Sequence, residues 1–334
     1  MITENKPLKN LNTFGFDAVA RYYAAPESVT ELKKVLGEYK KMNLPLFILG
    51  GGSNVLFSNN FEGLVIHPQI QGIELIEEDP EYIWVKVGAG VVWDSFVEYV
   101  VNKNWGGVEN LSLIPGNVGA SPVQNVGAYG MEAKDTIESV DGIYIDNLTS
   151  FKFSNKECKF GYRNSVFKNE LKQKTIVTYV TFRLNKYPKF KLEYGNIKDE
   201  LTNHSEINLE NIRKAVINIR ESKLPDPKFL GNAGSFFKNP VVEESVAQKL
   251  LEEYPLMPTY ASNNGVKIPA GWLIEKSGLK GYRMGDVGVH EKQALVLVNY
   301  GRGYAEEILR LSDYIKETVF NKFNIRIEPE VIII

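Results

Sequence analysis

The chain has 334 residues, and single hydrophobic cores stop growing at roughly 250–300 residues, so we expect two or three domains. Lys and Arg total 39 against 41 Asp and Glu, and this balance lacks the basic excess that nucleic acid or an anionic membrane attracts. The single cysteine excludes an internal disulfide, and the three scattered histidines predict no histidine-rich metal site.

The N-terminus is polar, and no apolar run approaches the length of about 18 residues that a membrane helix needs. We therefore expect a cytoplasmic protein with neither a signal peptide nor a membrane span. In the first region, apolar side chains recur at helical spacing over residues 26–42, and Ser28 and Glu31 have the spacing of a capping box. Short buried strands are predicted at residues 46–49 and 64–67.

The second region starts near residue 70 and is predicted to mix strands with helices. Ile83, Val85 and Val87 alternate with polar or aromatic residues, as on a half-buried strand. A helix with Trp93 and Phe96 on its apolar face follows, and after it comes a glycine-rich coil. Further strands are predicted at residues 142–145, 149–153 and 176–184.

The third region opens after a helix predicted at residues 209–221. The stretch 223–234 contains several turn-forming residues, and we expect it to be a linker or a functional loop. The pattern as a whole predicts an α+β protein of three domains. The remaining predicted elements are helices at residues 242–254, 269–277 and 305–320 and strands at residues 294–299 and 325–334, the last interrupted by Pro329.

Two glycine pairs imitate the fingerprint of a dinucleotide-binding site. The segments 88–90 and 301–303 each lie between a predicted strand and a predicted helix. In each case a bulky residue, Trp93 or Glu306, stands where the third glycine of the fingerprint allows helix and strand to pack closely. A Rossmann site is therefore not expected, and the sequence contains no P-loop.

Two other glycine-rich loops are better candidates for binding an anion. The loop at residues 50–54 has three glycines, which allow successive backbone N–H groups to point inward, and Ser53 adds a side-chain donor. A simple glycine-rich turn is the alternative interpretation of this loop. The coil at residues 115–130 is also rich in glycine, and a stretch of that length without regular structure is usually functional. Together the loops predict a large ligand that carries phosphate.

Single residues indicate little chemistry by themselves. Ser235 has no histidine nearby in sequence and lies outside the nucleophile motif of hydrolases, so a Ser–His–Asp triad is not supported. Cys158 has no visible partner and is expected to be inert. Arg163 and Glu330, taken alone, are expected to form surface salt bridges. The residues alone thus indicate an enzyme with a phosphate-rich ligand and no particular reaction.

Eight segments, taken in chain order, carry a resemblance to one enzyme family. They are LNTFGF (11–16), GGGSNVLFS (50–58), IPGNVGASPVQNVGAYG (114–130), FGYRNS (160–165), LPDPKFLGNAGSFFKNP (224–240), AGWLIE (270–275), HEKQALVLVN (290–299) and EPEV (328–331). In this combination the chain resembles the UDP-N-acetylenolpyruvoylglucosamine reductases, flavoenzymes that complete UDP-N-acetylmuramate for bacterial peptidoglycan. The resemblance covers nearly the whole chain.

The resemblance implies a two-part FAD-binding fold of the vanillyl-alcohol-oxidase/PCMH type and a C-terminal α+β domain that binds the substrate. The implied domains are residues 1–68 joined by the strand 331–334, residues 69–222, and residues 223–330. FAD would be bound noncovalently, because some relatives of this fold attach it through a histidine where this chain has Ser53 and Asn54. The residues implied to hold FAD are Gly50, Gly51, Gly52, Ser53, Asn54, Pro115, Gly116, Gly119, Ala120, Ser121, Asn125, Gly127 and Ala128.

The resemblance also implies a reaction in two halves: NADPH reduces the flavin, which then reduces the enolpyruvyl ether of UDP-N-acetylglucosamine. Arg163 would stabilise the enolate-like charge, a protonated Glu330 would assist it, and Ser235 would donate the final proton. The residues implied to bind substrate or nucleotide are Tyr129, Tyr162, Tyr194, Lys223, Asn239 and Gln293. Tyr194 lies in a segment that only one subclass possesses, where this tyrosine packs over the substrate. We expect a monomer with no metal and no nucleic-acid partner.

Two other functions remain compatible with the sequence. A flavin oxidase of the same fold with another substrate would keep the loop 50–54 but would not need the segment 231–240. A sugar-nucleotide sensor without catalysis is the second alternative, and the presence of all three implied catalytic residues counts against it.

Overall fold

A computed structural model describes residues 1–202, 204, 206–262 and 264–334. The chain forms two compact units. Unit 1 consists of residues 1–6, 20–51 and 61–222, and unit 2 consists of residues 7–19, 52–60 and 223–334. The three domains implied by the resemblance, with boundaries near residues 68 and 222, remain a prediction.

Most of the α-helices confirm the regions in which apolar side chains recur at helical spacing. The helices are α1 (Val29–Tyr39), α2 (Trp93–Asn102), α3 (Ser121–Gln124), α4 (Ile197–Leu201), α5 (Leu209–Lys223), α6 (Glu244–Glu253), α7 (Ala270–Lys276) and α8 (Ala305–Phe323). The sequence does not predict α3 and α4, which are too short to display a period. In the described ranges, none of the helices combines the length and the apolar composition that a membrane span requires.

The strands are short and belong to several separate sheets. In chain order they are β1 (Thr3–Pro7), β2 (Val19–Ala24), β3 (Leu46–Ile48), β4 (Val55–Leu56), β5 (Phe61–Ile66), β6 (Ile73–Glu78), β7 (Tyr82–Gly88), β8 (Gly127–Ala128), β9 (Met131–Glu132), β10 (Ile137–Tyr144), β11 (Ser150–Ser154), β12 (Thr175–Asn185), β13 (Gly231–Ser235), β14 (Val241–Val242), β15 (Tyr260–Ser262), β16 (Gly265–Lys267), β17 (Arg283–Met284), β18 (Val287–Val289), β19 (Val296–Asn299) and β20 (Ile332–Ile333). This mixture of helices and strands confirms the predicted α+β class.

The first sheet of unit 1 has the strand order β1-β2-β5-β3 and packs with α1. β5 runs parallel to both β2 and β3. Leu32 and Leu36 of α1 are fully buried in one apolar cluster with Leu64 and Ile66 of β5. The helical repeat of the sequence therefore reflects burial against this sheet.

The N-terminus of α1 differs from the predicted capping box. The Ser28 hydroxyl accepts the backbone N–H of Glu31, as predicted. The Glu31 carboxylate, however, accepts the N–H of Glu27 and so bonds one residue before the position that a capping box requires. Both bonds satisfy donors that lie at or just before the first turn of the helix.

The second sheet of unit 1 has the strand order β11-β10-β12-β7-β6, and each neighbouring pair of strands in it is antiparallel. Trp93 and Phe96 of α2 pack against Phe182 of β12, with ring centroids 5.9 and 4.6 Å apart. Val118 of the glycine-rich coil is buried in the same cluster. The core of this sheet therefore also supports one of the candidate loops.

Unit 2 contains a sheet with the strand order β13-β19-β18-β17, and α7 and α8 share its core. Phe236, Leu273 and Ile308 are fully buried there. β4 and β20 pair in parallel, and the Ser58 backbone N–H and hydroxyl both donate to the carbonyl oxygen of Ile334, each at 2.7 Å.

Several strands depart from the sequence-based expectations. β6 was not predicted because its side chains after Ile73 are all exposed and show no alternation. β13 lies in the stretch that was expected to be a loop, and pairing with β19 overrides its glycine content. The strand predicted over residues 325–334 is limited to β20, and Pro329 forms only an isolated bridge with Phe237.

Candidate active site

The two glycine-rich loops of the predicted FAD site contact each other through their backbones in unit 1. A Cβ atom added to Gly51 would lie 2.6 Å from the Cα of Gly116 and 2.9 Å from the Oδ1 of Asn117. A Cβ on Gly50 would lie 3.2 Å from the Cβ of Ala120. Only glycine fits at residue 51 without moving the backbone of the other loop.

The coil at residues 115–130 contains regular structure, whereas the sequence predicts a stretch without it. It contains a 3₁₀ turn at Val118–Ala120, the short helix α3 and strand β8, which pairs with β9 directly after the coil. Asn125 ends α3 in the left-handed conformation, with φ 47°. The hydroxyl of Ser121 donates to the carbonyl oxygen of Val118 at 2.8 Å and so stabilises the preceding turn.

The segment 88–90, which resembles a dinucleotide fingerprint, supports this coil. The N–H of Gly119 donates to the carbonyl oxygen of Ala89 at 3.0 Å, and the N–H of Val118 donates to that of Val91 at 2.9 Å. A Cβ on Gly119 would lie 2.5 Å from the Cβ of Ala89. Sequence analysis missed this role, because the pattern of glycines indicates close approach but not the partner.

In unit 2, residues 52–54 are held by the segment 11–16. Gly52 has φ +67°, and a Cβ there would lie 1.9 Å from the carbonyl oxygen of Leu11. The N–H of Thr13 donates to the carbonyl oxygen of Gly52 at 3.1 Å. The side-chain amide of Asn54 donates to the carbonyl oxygen of Glu330 at 3.3 Å. Gly52 is thus required both by its conformation and by this close approach.

Arg163 lies against the same loop that contains Asn125 and Gly127. Its Nη2 donates to the carbonyl oxygen of Gly127 at 2.6 Å, and its Nη1 donates to that of Asn125 at 3.4 Å. A Cβ on Gly127 would lie 3.1 Å from Nη1, so glycine makes room for the guanidinium. The guanidinium carbon lies 5.5 Å from the ring centroid of Tyr162, within cation–π range. The structure therefore brings these predicted site residues together.

Ser235 and Glu330 lie on neighbouring backbone segments of unit 2. Ser235 is the last residue of β13. The N–H of Glu330 donates to the carbonyl oxygen of Phe236, the residue after Ser235, at 2.7 Å. Gly234 has φ +65°, and its N–H donates to the side-chain Oδ1 of Asn232. The pairing of β13 with β19 shifts its register between Asn232 and Ser235, so an irregular stretch of the strand itself precedes Ser235.

Asn239 and Gln293, both predicted to bind substrate or nucleotide, converge on the start of α7. The Oδ1 of Asn239 accepts the N–H of Ala270 at 2.9 Å. The Oε1 of Gln293 lies 3.1 Å from the position of a Cβ on Gly271 and accepts the N–H of Leu295 at 3.3 Å. Lys223, a further predicted binding residue, is the last residue of α5.

Tyr194 packs against Gly130, the residue after Tyr129, and Tyr129 packs against Gly195, the residue after Tyr194. A Cβ on Gly130 would lie 2.5 Å from the Cδ2 of Tyr194, and one on Gly195 would lie 2.5 Å from the Cδ1 of Tyr129. Both glycines have positive φ angles. Unit 1 therefore brings together two of the residues that were predicted to bind the substrate.

A buried arginine that sequence analysis missed supports Tyr129. Arg220 hydrogen-bonds to the side chain of Tyr129, and burial lowers the pKa of Arg220 although this tyrosine and Asp94 oppose the shift. Burial raises the pKa of the Tyr129 hydroxyl. The Nε of Arg220 is buried without a hydrogen-bond partner within the part of the chain that the structure describes. Buried donors of this kind are rare in native proteins, and a bound ligand, an ordered water or local strain accounts for them.

Asp94 and Arg213 form a further, partly buried ion pair, which has no signal in the sequence. Arg213 donates to both oxygens of Asp94, at 2.6 and 2.9 Å, and Asp94 also accepts the N–H of Leu113. Burial alone raises the pKa of Asp94, but the hydrogen bonds and charge of Arg213 outweigh it and lower the pKa below its usual value. Among the described residues, no group of three or more His, Cys, Asp and Glu side chains is arranged to hold a metal ion.

Comparisons with known proteins define the class of this protein. A model of the FAD binding domain matches residues 20–146, which include residues 50–54 and 115–128. The structure of 6-hydroxy-D-nicotine oxidase from Arthrobacter nicotinovorans has a similar fold, with a TM-score of 0.54 and 12% identity over 90% of this chain and 80% of that chain. Two glycine loops in backbone contact fit the pyrophosphate of such a cofactor. The matched domain and the fold are those of an FAD-dependent oxidoreductase, which confirms the predicted fold and cofactor.

The family follows from full-length similarity. A model of the C-terminal domain of UDP-N-acetylenolpyruvoylglucosamine reductase matches residues 226–334. The chain is 51% identical to the UDP-N-acetylenolpyruvoylglucosamine reductase of Flavobacterium johnsoniae over 100% of this chain and 99% of the relative. The reductase structure from Thermus caldophilus has a TM-score of 0.70 at 25% identity and covers 100% of this chain and 98% of that chain.

The chain belongs to the UDP-N-acetylenolpyruvoylglucosamine reductase family. Membership confirms the predicted fold and the predicted activity, the FAD-dependent reduction of UDP-N-acetylglucosamine enolpyruvate in the synthesis of peptidoglycan precursors. It also favours this activity over an oxidase with another substrate and over a sensor without catalysis.

Proposed function

We propose that the chain carries out this reduction with NADPH as electron donor and noncovalently bound FAD, and that Arg163, Ser235 and Glu330 act on the enolpyruvyl group. The observation that carries the proposal for Ser235 and Glu330 is the hydrogen bond between Glu330 and Phe236, which joins their two backbone segments. The residues of the two glycine-rich loops would hold FAD, which would supply hydride-transfer chemistry between NADPH and the enolpyruvyl double bond.

The two glycine loops hold the cofactor in this proposal. Gly51 and Gly116 have no side chains at the point where the two loops meet, so a pyrophosphate can approach the backbone N–H groups there. Ser53 and Asn54 stand in the first loop, and neither side chain is the histidine that a histidyl linkage to flavin would need. FAD is therefore expected to leave the protein on denaturation.

Arg163 stabilises the negative charge that develops next to the substrate carboxylate. A guanidinium is permanently charged and planar, so it suits a carboxylate and its enolate-like form. Its hydrogen bonds to the carbonyl oxygens of Asn125 and Gly127 fix its direction before the substrate binds. A charge that is fixed in advance stabilises a transition state without the cost of reorientation.

Ser235 donates the proton that completes the reduction, and Glu330 assists as a neutral donor. A serine hydroxyl is a weak acid, but the enolate-like intermediate is a strong base. Glu330 must be protonated for this role, because an ionised carboxylate would repel the intermediate. Family position supports both assignments, and the hydrogen bond from Gly234 to Asn232, which holds the irregular part of β13, supports a fixed backbone position for Ser235.

The remaining site residues bind the substrate and the nucleotide. Lys223 is assigned to the diphosphate on grounds of charge. Tyr194 packs over the substrate, in keeping with the subclass that possesses this segment, and its contact with Gly130 supports a site shared with Tyr129. Asn239, Gln293 and Tyr162 complete the set.

The proposed partners are UDP-N-acetylglucosamine enolpyruvate and NADPH, and the proposed working form is a cytoplasmic monomer. Light scattering of the purified protein would test the oligomeric state, and a mass of two chains would contradict a monomer. Fractionation of cells would test the location.

Spectroscopy of the purified protein tests the proposal most directly. We expect a yellow protein that bleaches when NADPH is added without oxygen and regains its colour when the enolpyruvyl substrate follows. Acid or heat should release the flavin into solution. Protein that cannot be reconstituted with FAD, or that is bleached but not reoxidised by the substrate, would contradict the proposed function.

A further inference from the structure

The side chain of Asn125 is used entirely within the protein. Asn125 is fully buried. Its Nδ2 donates to the carbonyl oxygen of Gly161 and to the Oε2 of Glu132, both at 2.9 Å, and its Oδ1 accepts the N–H of Lys134 at 3.0 Å. An amide nitrogen carries two hydrogens, so both of its donors are occupied. The side chain therefore has no donor left for a flavin or a substrate.

The bond to Gly161 reaches the segment that presents Arg163. Arg163 has φ +52°, a left-handed conformation that residues with a Cβ adopt infrequently. Such a conformation is strained and persists only where the surrounding structure holds it. The amide of Asn125 holds the backbone two residues before Arg163, at the start of this strained turn.

Asn125 contacts Arg163 at its other end as well. The backbone carbonyl oxygen of Asn125 accepts from the Nη1 of Arg163, next to the stronger bond from Nη2 to Gly127. One residue thus holds both the backbone ahead of Arg163 and its guanidinium. Glu132 is itself paired with the ammonium of Lys134 at 2.5 Å, which keeps this acceptor of the Asn125 amide in place.

We infer that Asn125 is a positioning residue for Arg163 and that its side chain acts through this arginine, without touching flavin or substrate. The inference rests on the role of Arg163 proposed above. It replaces the cofactor-binding role that the resemblance implies for the Asn125 side chain. Arg163 is needed when negative charge develops on the substrate and not when NADPH reduces the flavin, so the two half-reactions separate the two roles.

The variant Asn125→Gly tests the inference with little backbone strain. Glycine adopts the left-handed conformation freely, so the change removes the three side-chain hydrogen bonds and keeps the turn. We expect flavin content and flavin reduction by NADPH to stay within about twofold of the wild type. Reduction of the enolpyruvyl substrate should slow by of the order of 100-fold, the effect of a displacement of about 1 Å at a reacting centre.

The variant Asn125→Asp provides a second measurement if the glycine variant is poorly folded. It keeps the size of the side chain and the acceptor for Lys134 but removes both donors. The same selective loss in the substrate half-reaction is expected.

Asn155→Ala is the matched control in unit 1. The Nδ2 of Asn155 donates to the carbonyl oxygens of Lys134 and Ile137, at 2.8 and 2.7 Å, so the change also removes two side-chain donors. A purely structural effect should appear in thermal unfolding and leave the ratio of the two half-reaction rates unchanged. That ratio should change only in the variants of Asn125.

A double-mutant cycle with Arg163→Lys decides between positioning and an independent role. If Asn125 acts through Arg163, Asn125→Gly should slow substrate reduction little further in the Arg163→Lys background. Multiplication of the two separate factors, or equal slowing of both half-reactions by Asn125→Gly, would overturn the inference and leave the proposed function intact. A wild-type rate of substrate reduction in Arg163→Lys alone would overturn the role of Arg163 and the inference with it.

Discussion

Glu330 donates its backbone N–H to the carbonyl oxygen of Phe236 at 2.7 Å, and this bond places it beside the residue that follows Ser235. The N–H of Lys238 returns a bond of 2.9 Å to the carbonyl oxygen of Glu328, so the contact continues along both segments. The register of the two segments is therefore fixed by backbone atoms that side-chain substitutions do not remove. Variants of Ser235 and Glu330 can be compared on one unchanged backbone.

Ser235→Ala should leave flavin binding and flavin reduction by NADPH nearly unchanged. Loss of a positioned general acid costs about 100- to 10,000-fold, and this loss should appear only when the enolpyruvyl substrate reoxidises the enzyme. Ser235→Cys should recover part of the rate, because a thiol also donates a proton. Stopped-flow absorbance measures each half-reaction separately.

Ser277→Ala is a suitable control for Ser235, because the Ser277 hydroxyl also lies in unit 2 and donates to the carbonyl oxygen of Leu273 at 2.8 Å. It should affect neither half-reaction. Equal, modest slowing of both half-reactions in Ser235→Ala would show that Ser235 is not the proton donor.

Glu330→Gln should slow reduction of the enolpyruvyl substrate more than it slows flavin reduction. Glutamine keeps the shape and a hydrogen-bond donor, so its effect should be smaller than that of Glu330→Ala. Glu328→Gln is the matched control. The side chain of Glu328 is 78% exposed, and its Oε2 lies 3.8 Å from the Nζ of Lys238. Single-turnover rates near those of the wild type in both Glu330 variants would remove this residue from the site.

Gly51→Ala should weaken flavin binding, because the added methyl group meets the backbone of Gly116 at 2.6 Å. Overpacking of this kind costs about 1–3 kcal/mol, which corresponds to roughly 5- to 150-fold in affinity. Titration of the apoprotein with FAD, followed by flavin fluorescence, measures the change. An affinity equal to that of the wild type would mean that the two loops do not jointly hold the cofactor.

Gly37→Ala is the control for this substitution, and it should stabilise the protein. Gly37 lies in α1, and a Cβ there meets no atom within 4 Å. Alanine in a helix is favoured over glycine by about 0.5–1 kcal/mol. The variant should therefore gain stability and bind FAD as the wild type does.

Asp94→Asn should reduce the free energy of unfolding at pH 7 by up to roughly 3 kcal/mol, because it removes the carboxylate that accepts two hydrogen bonds from Arg213, and Glu98 lies farther away at 4.0 Å. The pKa of Asp94 is lowered in the folded state, so its stabilisation is present above the unfolded pKa of about 4 and is lost as the pH falls through the folded value. The stability difference between wild type and variant should therefore shrink below about pH 4. Urea unfolding at several pH values measures it, and a difference independent of pH would contradict the assignment.

Glu109→Gln should show the opposite dependence on pH. Glu109 is almost fully buried, and burial raises the pKa of its carboxyl group although the N–H of Gly107 and other backbone donors oppose the shift. The ionised form therefore costs stability at neutral pH, and the wild type should gain stability relative to the variant as the pH falls through the raised pKa. The same urea series tests this, and parallel curves for the two proteins would exclude a raised pKa.

The sequence predicts those parts of the fold in which buried apolar side chains recur at a regular spacing along the chain. Trp93, Phe96 and Val100 recur at helical spacing, and α2 lies where they indicate it. β6 lacks such a pattern, because its adjacent apolar residues Leu75 and Ile76 are both exposed. Its position is set by hydrogen bonds to β7, which no local pattern shows.

The sequence singled out the loops of the candidate site but could not predict the contacts between them. Glycine content drew attention to residues 50–54 and 115–130, yet the approach of Gly51 to Gly116 joins positions that are distant in sequence. The motif at residues 88–90 has the composition of a binding loop, but its glycines serve backbone packing. The saturated amide of Asn125 depends on three partners from two different turns, and a linear pattern cannot reveal it.

The assembly of unit 2 from three separate stretches sets an order of events on the ribosome. Residues 52–60 emerge long before residues 223–334, with which they fold. At a rate of synthesis of roughly 5–20 residues per second, β20 is made on the order of tens of seconds after β4, the strand with which it pairs. Phe14 and Leu56, which the finished protein buries almost completely, stay without their native neighbours during this interval. All residues of unit 1 have been synthesised once residue 222 is added, whereas unit 2 is complete only at the end of synthesis.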